Sequence, residues 1–312
     1  MNPAFSVIFL TTLIGAAQGL FLSLFAAEVW ARLAGAAPPE DRFFAVGAAL
    51  CVLLAGLGLV ASFFHLGRPE RAWRSAARWR TSWLSREVIV LPAFLAMALL
   101  YGLAHFTGWP VTLVAGSLGV LLAIALFVCT GMIYACIRFL QEWSTPLTVV
   151  NYTVLGIASG ATLAAALALF LAPGYVPRFA WLAVVATLLG LLTRSMSLWR
   201  NARLRHKSSL QTAIGVRHPR IVQKAQGFMG GSFNTREFFH HRSRAFLRHV
   251  KSTFLLGAFV VPLALLLCGI AARWPQLAVA AFAIQYLGLI AERWYFFAEA
   301  NHPQNLYYQS IA

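Results

Sequence analysis

The chain has 312 residues, of which 60% are hydrophobic and only 11% are charged, and its mean hydropathy is +0.72. Soluble domains carry about 25% charged residues, so this composition excludes an ordinary soluble enzyme and indicates an integral membrane protein. The formal net charge of +16 comes from basic residues that flank apolar runs. Such residues mark membrane topology, and the charge therefore does not indicate a nucleic-acid partner.

Eight apolar runs are long enough to cross a hydrocarbon core of about 30 Å, which takes about 20 helical residues. Helices are the only interpretation, because backbone groups in lipid must pair within their own segment and the runs lack the alternation of a membrane barrel. We therefore predict an all-α polytopic fold, with one integral membrane domain over residues 1–312. The predicted spans are 5–30, 43–66, 86–106, 111–139, 148–172, 178–199, 252–272 and 275–298.

The first apolar run, the cysteines and two histidines give further expectations about this membrane protein. The first run follows "MNPAF", which has no basic residue, and it is longer than a signal-peptide core, so it is predicted to remain as a helix. We expect no iron–sulfur cluster in this chain, because its four cysteines lie inside apolar runs without cluster spacing. A haem shared by His65 and His105 is not expected either, since they fall at opposite ends of their predicted helices.

No charged residue is predicted near the middle of a span, which argues against an ion pump, a coupled-proton transporter or a voltage sensor. The remaining intramembrane polar and small residues are interpreted as packing features. Gln18 and Gln285 are predicted to bridge helices, and two GxxxG pairs are predicted to allow close approach: Gly15 with Gly19, and Gly156 with Gly160.

The second connection, "SFFHLGRPERAWRSAARWRTSWLSREVIV", carries six arginines between one histidine and one glutamate. His65 is predicted in the last turn of the second helix, with Ser62 one turn earlier and Arg68 one turn later. Ser85 is the predicted N-cap of the third helix, which places Glu87 in its first turn. Consecutive antiparallel helices can bring His65 and Glu87 to the same depth.

A histidine and a carboxylate at the membrane edge suit the headgroup of a quinone. The imidazole can hydrogen-bond a ring oxygen, and the carboxylate can exchange protons with water. Arg68 is a candidate for stabilising negative charge that develops on the quinone oxygen. The alternative is that His65 and Glu87 only cap their helices, because each has the charge that the adjacent helix dipole favours.

Basic residues predict the orientation of the chain. With eight spans, 21 of the 25 Lys and Arg lie on the side that holds both termini and the long sixth connection, so this side is predicted to be cytoplasmic. The extramembrane part of that connection is predicted at 200–251. We expect it to dock a partner, because it carries apolar residues that need burial: Ile214, Val216, Ile221, Val222, Phe228, Phe233, Phe238 and Phe239.

"FFHLGRPERAW" followed by "TSWLSRE", together with the ending "ERWYFFAEANHPQNLYYQ", resembles the membrane anchor subunits of dimethyl-sulfoxide-reductase-type molybdoenzymes over most of the chain. The resemblance implies an anchor in the bacterial inner membrane that contains no redox centre of its own. It holds an iron–sulfur subunit, which joins a molybdopterin catalytic subunit, and it exchanges electrons with quinone. The family's quinone-site histidine and glutamate match His65 and Glu87. The complete set of candidate quinone residues is His65, Glu87, Arg68, Ser62 and Ser85.

The predicted orientation favours one of the types of complex that contain such anchor subunits. A cytoplasmic catalytic module is similar to the related complexes that oxidise sulfite to sulfate and reduce quinone. We then expect the iron–sulfur subunit to dock on the basic segments 68–86 and 194–251. The alternatives are an anchor of a dimethyl sulfoxide reductase that oxidises quinol, a passive scaffold that is indifferent to His65 and Glu87, and a transporter.

Overall fold

The computed structural model describes residues 1–64, 66–205, 207–224 and 233–308. Within them it has eight helices long and apolar enough to cross a membrane, and no strand. This confirms the predicted all-α polytopic fold. The helices are α1 (Phe5–Leu33), α2 (Asp41–Phe63), α3 (Trp83–Thr107), α4 (Thr112–Ala135), α5 (Pro146–Leu171), α6 (Val176–Asn201), the short α7 (Leu210–Ile214) and α8 (Phe233–Glu237), α9 (Arg244–Leu255), α10 (Val261–Ala271) and α11 (Leu277–Glu299).

Capping side chains set two helix starts that differ from the prediction. The N-cap of α3 is Ser82, whose hydroxyl accepts from the Ser85 N–H at 3.3 Å, so the prediction that Ser85 is the cap was wrong. Ser243 caps α9 by accepting from the Phe246 N–H at 3.2 Å. The seventh span therefore begins at Arg244 and not at 252. Its first turns are amphipathic and basic, which is why a search for uniformly apolar runs missed them.

Two helices end earlier than predicted. α2 ends at Phe63 and α4 at Ala135, whereas the predictions continued them to 66 and 139. Each helix stops just before an arginine, Arg68 or Arg138, that is better solvated outside the hydrocarbon core. His65 lies outside the described residues, two positions beyond the end of α2.

A single π-helical turn, Leu256–Val260, joins α9 to α10 within the seventh span. Pro262 begins the next turn and has no N–H to donate to the carbonyl of Ala258, four residues earlier. The side-chain amide of Gln285 on α11 donates to that carbonyl at 3.3 Å and to the Thr187 hydroxyl on α6 at 3.0 Å. Gln285 therefore bridges helices, as predicted.

The most buried span, α1, packs against α2 and α5 at the centre of the bundle. The glycine pairs of α1 and α5 face each other: a Cβ on Gly19 would lie 2.1 Å from the Gly156 carbonyl oxygen, and one on Gly160 would lie 2.1 Å from the Gly19 carbonyl carbon. Gln18 also donates to the Ala123 carbonyl of α4 at 2.8 Å. The predicted close approach and the predicted glutamine bridge are both confirmed.

The N-terminus, the described segment after α11 and the described parts of the long connection after α6 lie at one end of the bundle, here named the loop end. The Met1 amine donates to the Ala300 carbonyl at 2.8 Å, and the Asn2 N–H donates to the Glu237 carbonyl at 2.9 Å. The segment that follows α11 thus ties the start of the chain to the long connection.

The C-terminal segment covers part of the long connection. Phe238 stacks on His302 with ring centroids 3.8 Å apart, and Phe239 is buried. Burial lowers the pKa of His302, which favours the neutral form of this ring. Other apolar residues that were predicted to need a partner are exposed within this chain: Ile214, Val216 and Val222. Phe228 lies outside the described residues, as does the side chain of Phe233.

Candidate functional site

Glu87 lies in the second turn of α3, is only 7% exposed, and accepts a short hydrogen bond from the Thr130 hydroxyl of α4. Because it lies beyond the first turn and bonds a neighbouring helix, it does not cap α3. The helix-cap alternative is therefore wrong for Glu87. A carboxylate with one hydroxyl donor keeps acceptor capacity for a second partner.

The structure also describes three other predicted site residues: Ser62, Arg68 and Ser85. Ser62 is half-buried, and its hydroxyl donates to the Leu59 carbonyl of its own helix at 2.6 Å. Arg68 is exposed and precedes a 3₁₀ helix, Pro69–Arg78. Ser85 is buried two residues before Glu87 on α3. Among the described candidates, Ser85 is the one that shares α3 with Glu87.

The arginine-rich segment forms a boundary layer above Glu87 at the loop end. Arg86 donates to the carbonyls of Trp79 and Arg80, both at 2.9 Å, and so ties the segment to the start of α3. Tryptophan and arginine side chains are typical of the membrane–water boundary, so Glu87 lies just beneath that boundary. Three guanidinium groups lie over indole rings: Arg74 over Trp73, Arg80 over Trp79 and Arg86 over Trp83.

Two small cavities, here named the inner cavities, lie in the bundle, and Glu87 borders one of them. The first has a volume of about 10 Å³ and is lined by Glu87 and Thr130. The second has a volume of about 20 Å³ and is lined by Arg293 of α11. Ligand pockets measure about 300–1,000 Å³, so neither inner cavity holds a quinone ring. Both cavities share three lining residues: Thr11, Gly15 and Tyr152.

A larger groove, of about 590 Å³, lies between α3 and α4, the two helices that carry Glu87 and Thr130. It is lined by apolar side chains alone and can accommodate an apolar chain, but it offers no polar group that would orient a headgroup. Its lining residues are Ala93, Ala96, Met97, Leu118, Leu121, Leu122 and Ala125.

A buried ion-pair chain joins α6 to α11 at the same end of the bundle. Arg194 Nε lies 2.7 Å from Glu292 Oε1, and Arg293 Nε lies 2.5 Å from Glu292 Oε2. Glu292 is fully buried, and both arginine side chains are at most 5% exposed. The chain continues through Arg194 Nη2, 3.8 Å from Glu299 Oε2. The Arg293 guanidinium lies over the Tyr152 ring at 4.1 Å.

The sequence analysis did not predict this ion-pair chain, because it assigned Arg194 and Arg293 to the basic flanks of the spans. The signal was present as an arginine and an adjacent Glu–Arg pair, each about two turns inside an otherwise apolar helix. Without these two arginines the loop end still holds 19 Lys and Arg against 4 at the opposite end, so the predicted orientation keeps its direction.

Comparison with known families identifies the chain. The sequence profile of the family described as "DMSO reductase anchor subunit (DmsC)" matches residues 1–294. The chain belongs to the DmsC family of membrane anchor subunits. It is therefore an integral, multi-pass anchor subunit of an oxidoreductase system, as the sequence resemblance implied.

Two proteins of known name are similar in sequence to this DmsC-family chain. It is 53% identical to a subunit of the sulfite dehydrogenase of Allochromatium vinosum over 325 aligned positions that cover both chains completely. It is 34% identical to "Anaerobic dimethyl sulfoxide reductase chain YnfH" of Escherichia coli over 119 positions, which cover 37% of this chain and 41% of that protein.

The DmsC-family chain has a second buried polar cluster at the opposite end of the bundle. Glu28 of α1 accepts from the Tyr101 and Thr112 hydroxyls, both at 2.8 Å. His105 Nε2 lies 3.5 Å from Glu28, and its Nδ1 lies 2.7 Å from the exposed Asp41 carboxylate. The cluster links α1, α2, α3 and α4, which indicates a packing role, and it places His105 at the far end of α3 from Glu87.

Proposed function

We propose that this anchor chain passes electrons from an iron–sulfur subunit to quinone at its loop end, while a molybdopterin partner oxidises sulfite to sulfate. The full-length similarity to a sulfite dehydrogenase subunit supports the choice of sulfite. The observation that carries the quinone site is the buried Glu87 carboxylate, held by Thr130 beneath an arginine- and tryptophan-rich boundary. An interfacial carboxylate meets both demands of quinone chemistry, because quinone arrives from lipid and protons arrive from water.

The proposed headgroup position lies outside the inner cavities, on the side of the 64–68 segment. Phe64 and Leu66 are exposed there and flank His65 in sequence, so they offer an apolar surface to the ring. In this proposal His65 hydrogen-bonds a ring oxygen, Glu87 supplies a proton, and Arg68 stabilises negative charge on the reduced ring. Ser62 and Ser85 complete the proposed polar surroundings. Quinone itself takes up two electrons and two protons to become quinol.

The experiment that tests this function is the replacement Glu87→Gln in membranes that hold the complete complex. We expect sulfite-dependent reduction of a quinone analogue to fall about 10²- to 10⁴-fold, because the amide cannot carry the proton. Sulfite oxidation with an artificial acceptor should stay normal, since that chemistry occurs in the partner. Both rates are to be measured at equal complex abundance, with His65→Ala in parallel.

The matched control is Glu70→Gln, which removes an exposed carboxylate from the same arginine-rich region. Equal quinone reduction in the Glu87→Gln and Glu70→Gln membranes would remove Glu87 from the proposed site. Native membranes that ignore sulfite but oxidise quinol with dimethyl sulfoxide would instead favour the alternative supported by the partial similarity to YnfH.

The iron–sulfur subunit is proposed to dock on a surface made of the segment 68–86 and the connection 194–251, except for their buried residues: Ser85, Arg194, Ser197, Leu198 and Phe239. Support comes from the exposed apolar residues of the connection and from a cleft of about 370 Å³ at the loop end. The cleft combines a cation with amide groups that can bind carboxylates or backbone: Gln141, Lys207, Asn301 and Asn305.

The proposed orientation places the loop end in the cytoplasm of a bacterial cell, at the inner membrane. A green fluorescent protein fused to the C-terminus is expected to fluoresce, and an alkaline phosphatase fused there is expected to be inactive, because the phosphatase needs the periplasm to form its disulfides. Fusions within the connection between α1 and α2, at residues 34–40, provide the reverse control. An active phosphatase at the C-terminus would reverse the proposed topology.

A further inference from the structure

Thr11, Gly15 and Tyr152 line both inner cavities, so the two spaces lie next to each other between Glu87 and the buried ion-pair chain. Glu87 borders the first cavity and Arg293 borders the second. A water molecule needs about 10–15 Å³, so the second cavity has room for one and the first reaches the lower limit.

Two buried polar atoms around these cavities have no hydrogen-bond partner of acceptable geometry among the described residues. They are the Tyr152 hydroxyl and Arg293 Nη1. The Tyr134 ring stacks on Tyr152 with centroids 5.5 Å apart, and the side chains of Tyr134 and Arg293 both interact with Tyr152. A buried polar group without a partner is costly, and most so in lipid, where small polar cavities therefore hold ordered water.

Five of the polar groups that line the cavities lie at a similar depth in the membrane. Counted at 1.5 Å per residue from the loop-end terminus of its helix, each lies about 6–9 Å inside. The set comprises Thr11 on α1, Glu87 on α3, Thr130 on α4, Tyr152 on α5 and Arg293 on α11. The connection between Glu87 and Arg293 therefore runs across the bundle, parallel to the membrane surface.

We propose that water in the two inner cavities forms a lateral proton route that reloads Glu87 from the ion-pair chain. The inference rests on the proposed function, in which Glu87 gives a proton to quinone. For each quinone reduced to quinol, two electrons come from the iron–sulfur subunit and two protons come from loop-end water. The route delivers at least one of these protons, and Glu87 returns to its protonated form.

The outer part of the route follows the ion-pair chain toward the loop end. The arginines keep their protons, so Arg194 and Arg293 act as fixed charges that orient water, and the carboxylates are the groups that accept a proton in transit. Glu299 is the outermost of them, with a side chain 16% exposed on the last turn of α11. It also accepts from the Asn201 amide at 3.1 Å.

Two substitutions test the route without touching a charged group. Gly15→Ala adds a methyl group to the wall that both cavities share, and its Cβ would lie 3.6 Å from Gly156 Cα, an ordinary contact that the fold tolerates. Thr11→Val removes a hydroxyl from the same wall at constant shape. The matched controls are Gly56→Ala, which has open space around its Cβ, and Thr162→Val, which removes a buried hydroxyl elsewhere.

The measurement is sulfite-driven quinone reduction by the intact complex, in H₂O and D₂O, at saturating quinone analogue. We expect Gly15→Ala and Thr11→Val to lower kcat about ten-fold and to raise the solvent isotope effect, because proton delivery becomes limiting. The KM for the quinone analogue and the rate with an artificial acceptor should match those of Gly56→Ala and Thr162→Val.

The outcomes separate the route from the quinone site. If Glu87→Gln abolishes quinone reduction while Gly15→Ala and Thr11→Val equal their controls in rate and isotope effect, the route is overturned and the site stands. If the complex with Glu87→Gln also reduces quinone normally, the proposed quinone site and the proposed proton route both fail. Loss of complex in Gly15→Ala alone would reflect packing, and Thr11→Val, which keeps the side-chain shape, then decides the question.

Discussion

Replacing Glu292 by alanine is expected to destabilise the folded chain by about 3–5 kcal/mol, the loss typical of a broken buried ion pair. The carboxylate lies between Arg194 and Arg293, at 2.7 and 2.5 Å, and is fully buried. Its removal leaves two buried guanidinium groups that cannot lose their protons and that have lost the carboxylate between them. The Arg194–Glu292 contact between α6 and α11 would be lost with it.

The measurement is the fraction of the chain that stays monodisperse in mild detergent after heating to a series of temperatures. Glu70→Ala is the matched control, because Glu70 pairs with Arg71 at 3.8 Å on the exposed surface, where an ion pair contributes about 0–1 kcal/mol. An apparent melting temperature for Glu292→Ala equal to that of Glu70→Ala would show that the buried pair does not stabilise the bundle.

Replacing Gly160 by alanine is expected to prevent the native contact between α1 and α5. The added Cβ would lie 2.1 Å from backbone atoms of Gly19 and Leu20, and a helix backbone cannot move aside as a flexible side chain can. The two helices would have to separate by about 1 Å, which removes the close contact that small residues provide in membranes. Because α1 is at the centre of the bundle, we expect a cost of about 3 kcal/mol or more.

The amount of folded chain in membranes and its melting behaviour in detergent measure this effect. Gly56→Ala is again the control, since a Cβ there meets no atom within 4 Å and the change in helix propensity is the same. Normal accumulation and melting of the Gly160→Ala chain would contradict the packing that the structure describes.

Much of the bundle was predictable because lipid imposes simple rules on a sequence. Apolar runs of sufficient length had to be helices. Small residues four apart indicated a close contact between two helices, and Gly19 of α1 and Gly160 of α5 make that contact. Gln18 and Gln285 were identifiable as bridges because an amide in hydrocarbon needs a partner. These inferences depend on local composition and spacing.

Helix ends were harder to predict, because a cap depends on which side chain reaches a free N–H. Ser82 and Ser85 both lie near the start of the third apolar run, and only the backbone geometry shows that Ser82 is the cap of α3. That shift of three residues moves Glu87 from a first turn, where it would have been a cap, to a buried position against Thr130. The amphipathic start of the seventh span, at Arg244, was hidden for a similar reason.

The sequence by itself determined the membrane class, the number of spans, the bias of basic residues toward one end and the family resemblance, because hydropathy and motif spacing are properties of contiguous residues. Only the tertiary structure decided that Arg194 meets Glu292, and that Glu87 and Arg293 each border one of two small cavities that share Tyr152. These groups lie on different helices, far apart in sequence, and their proximity depends on how the helices rotate and pack.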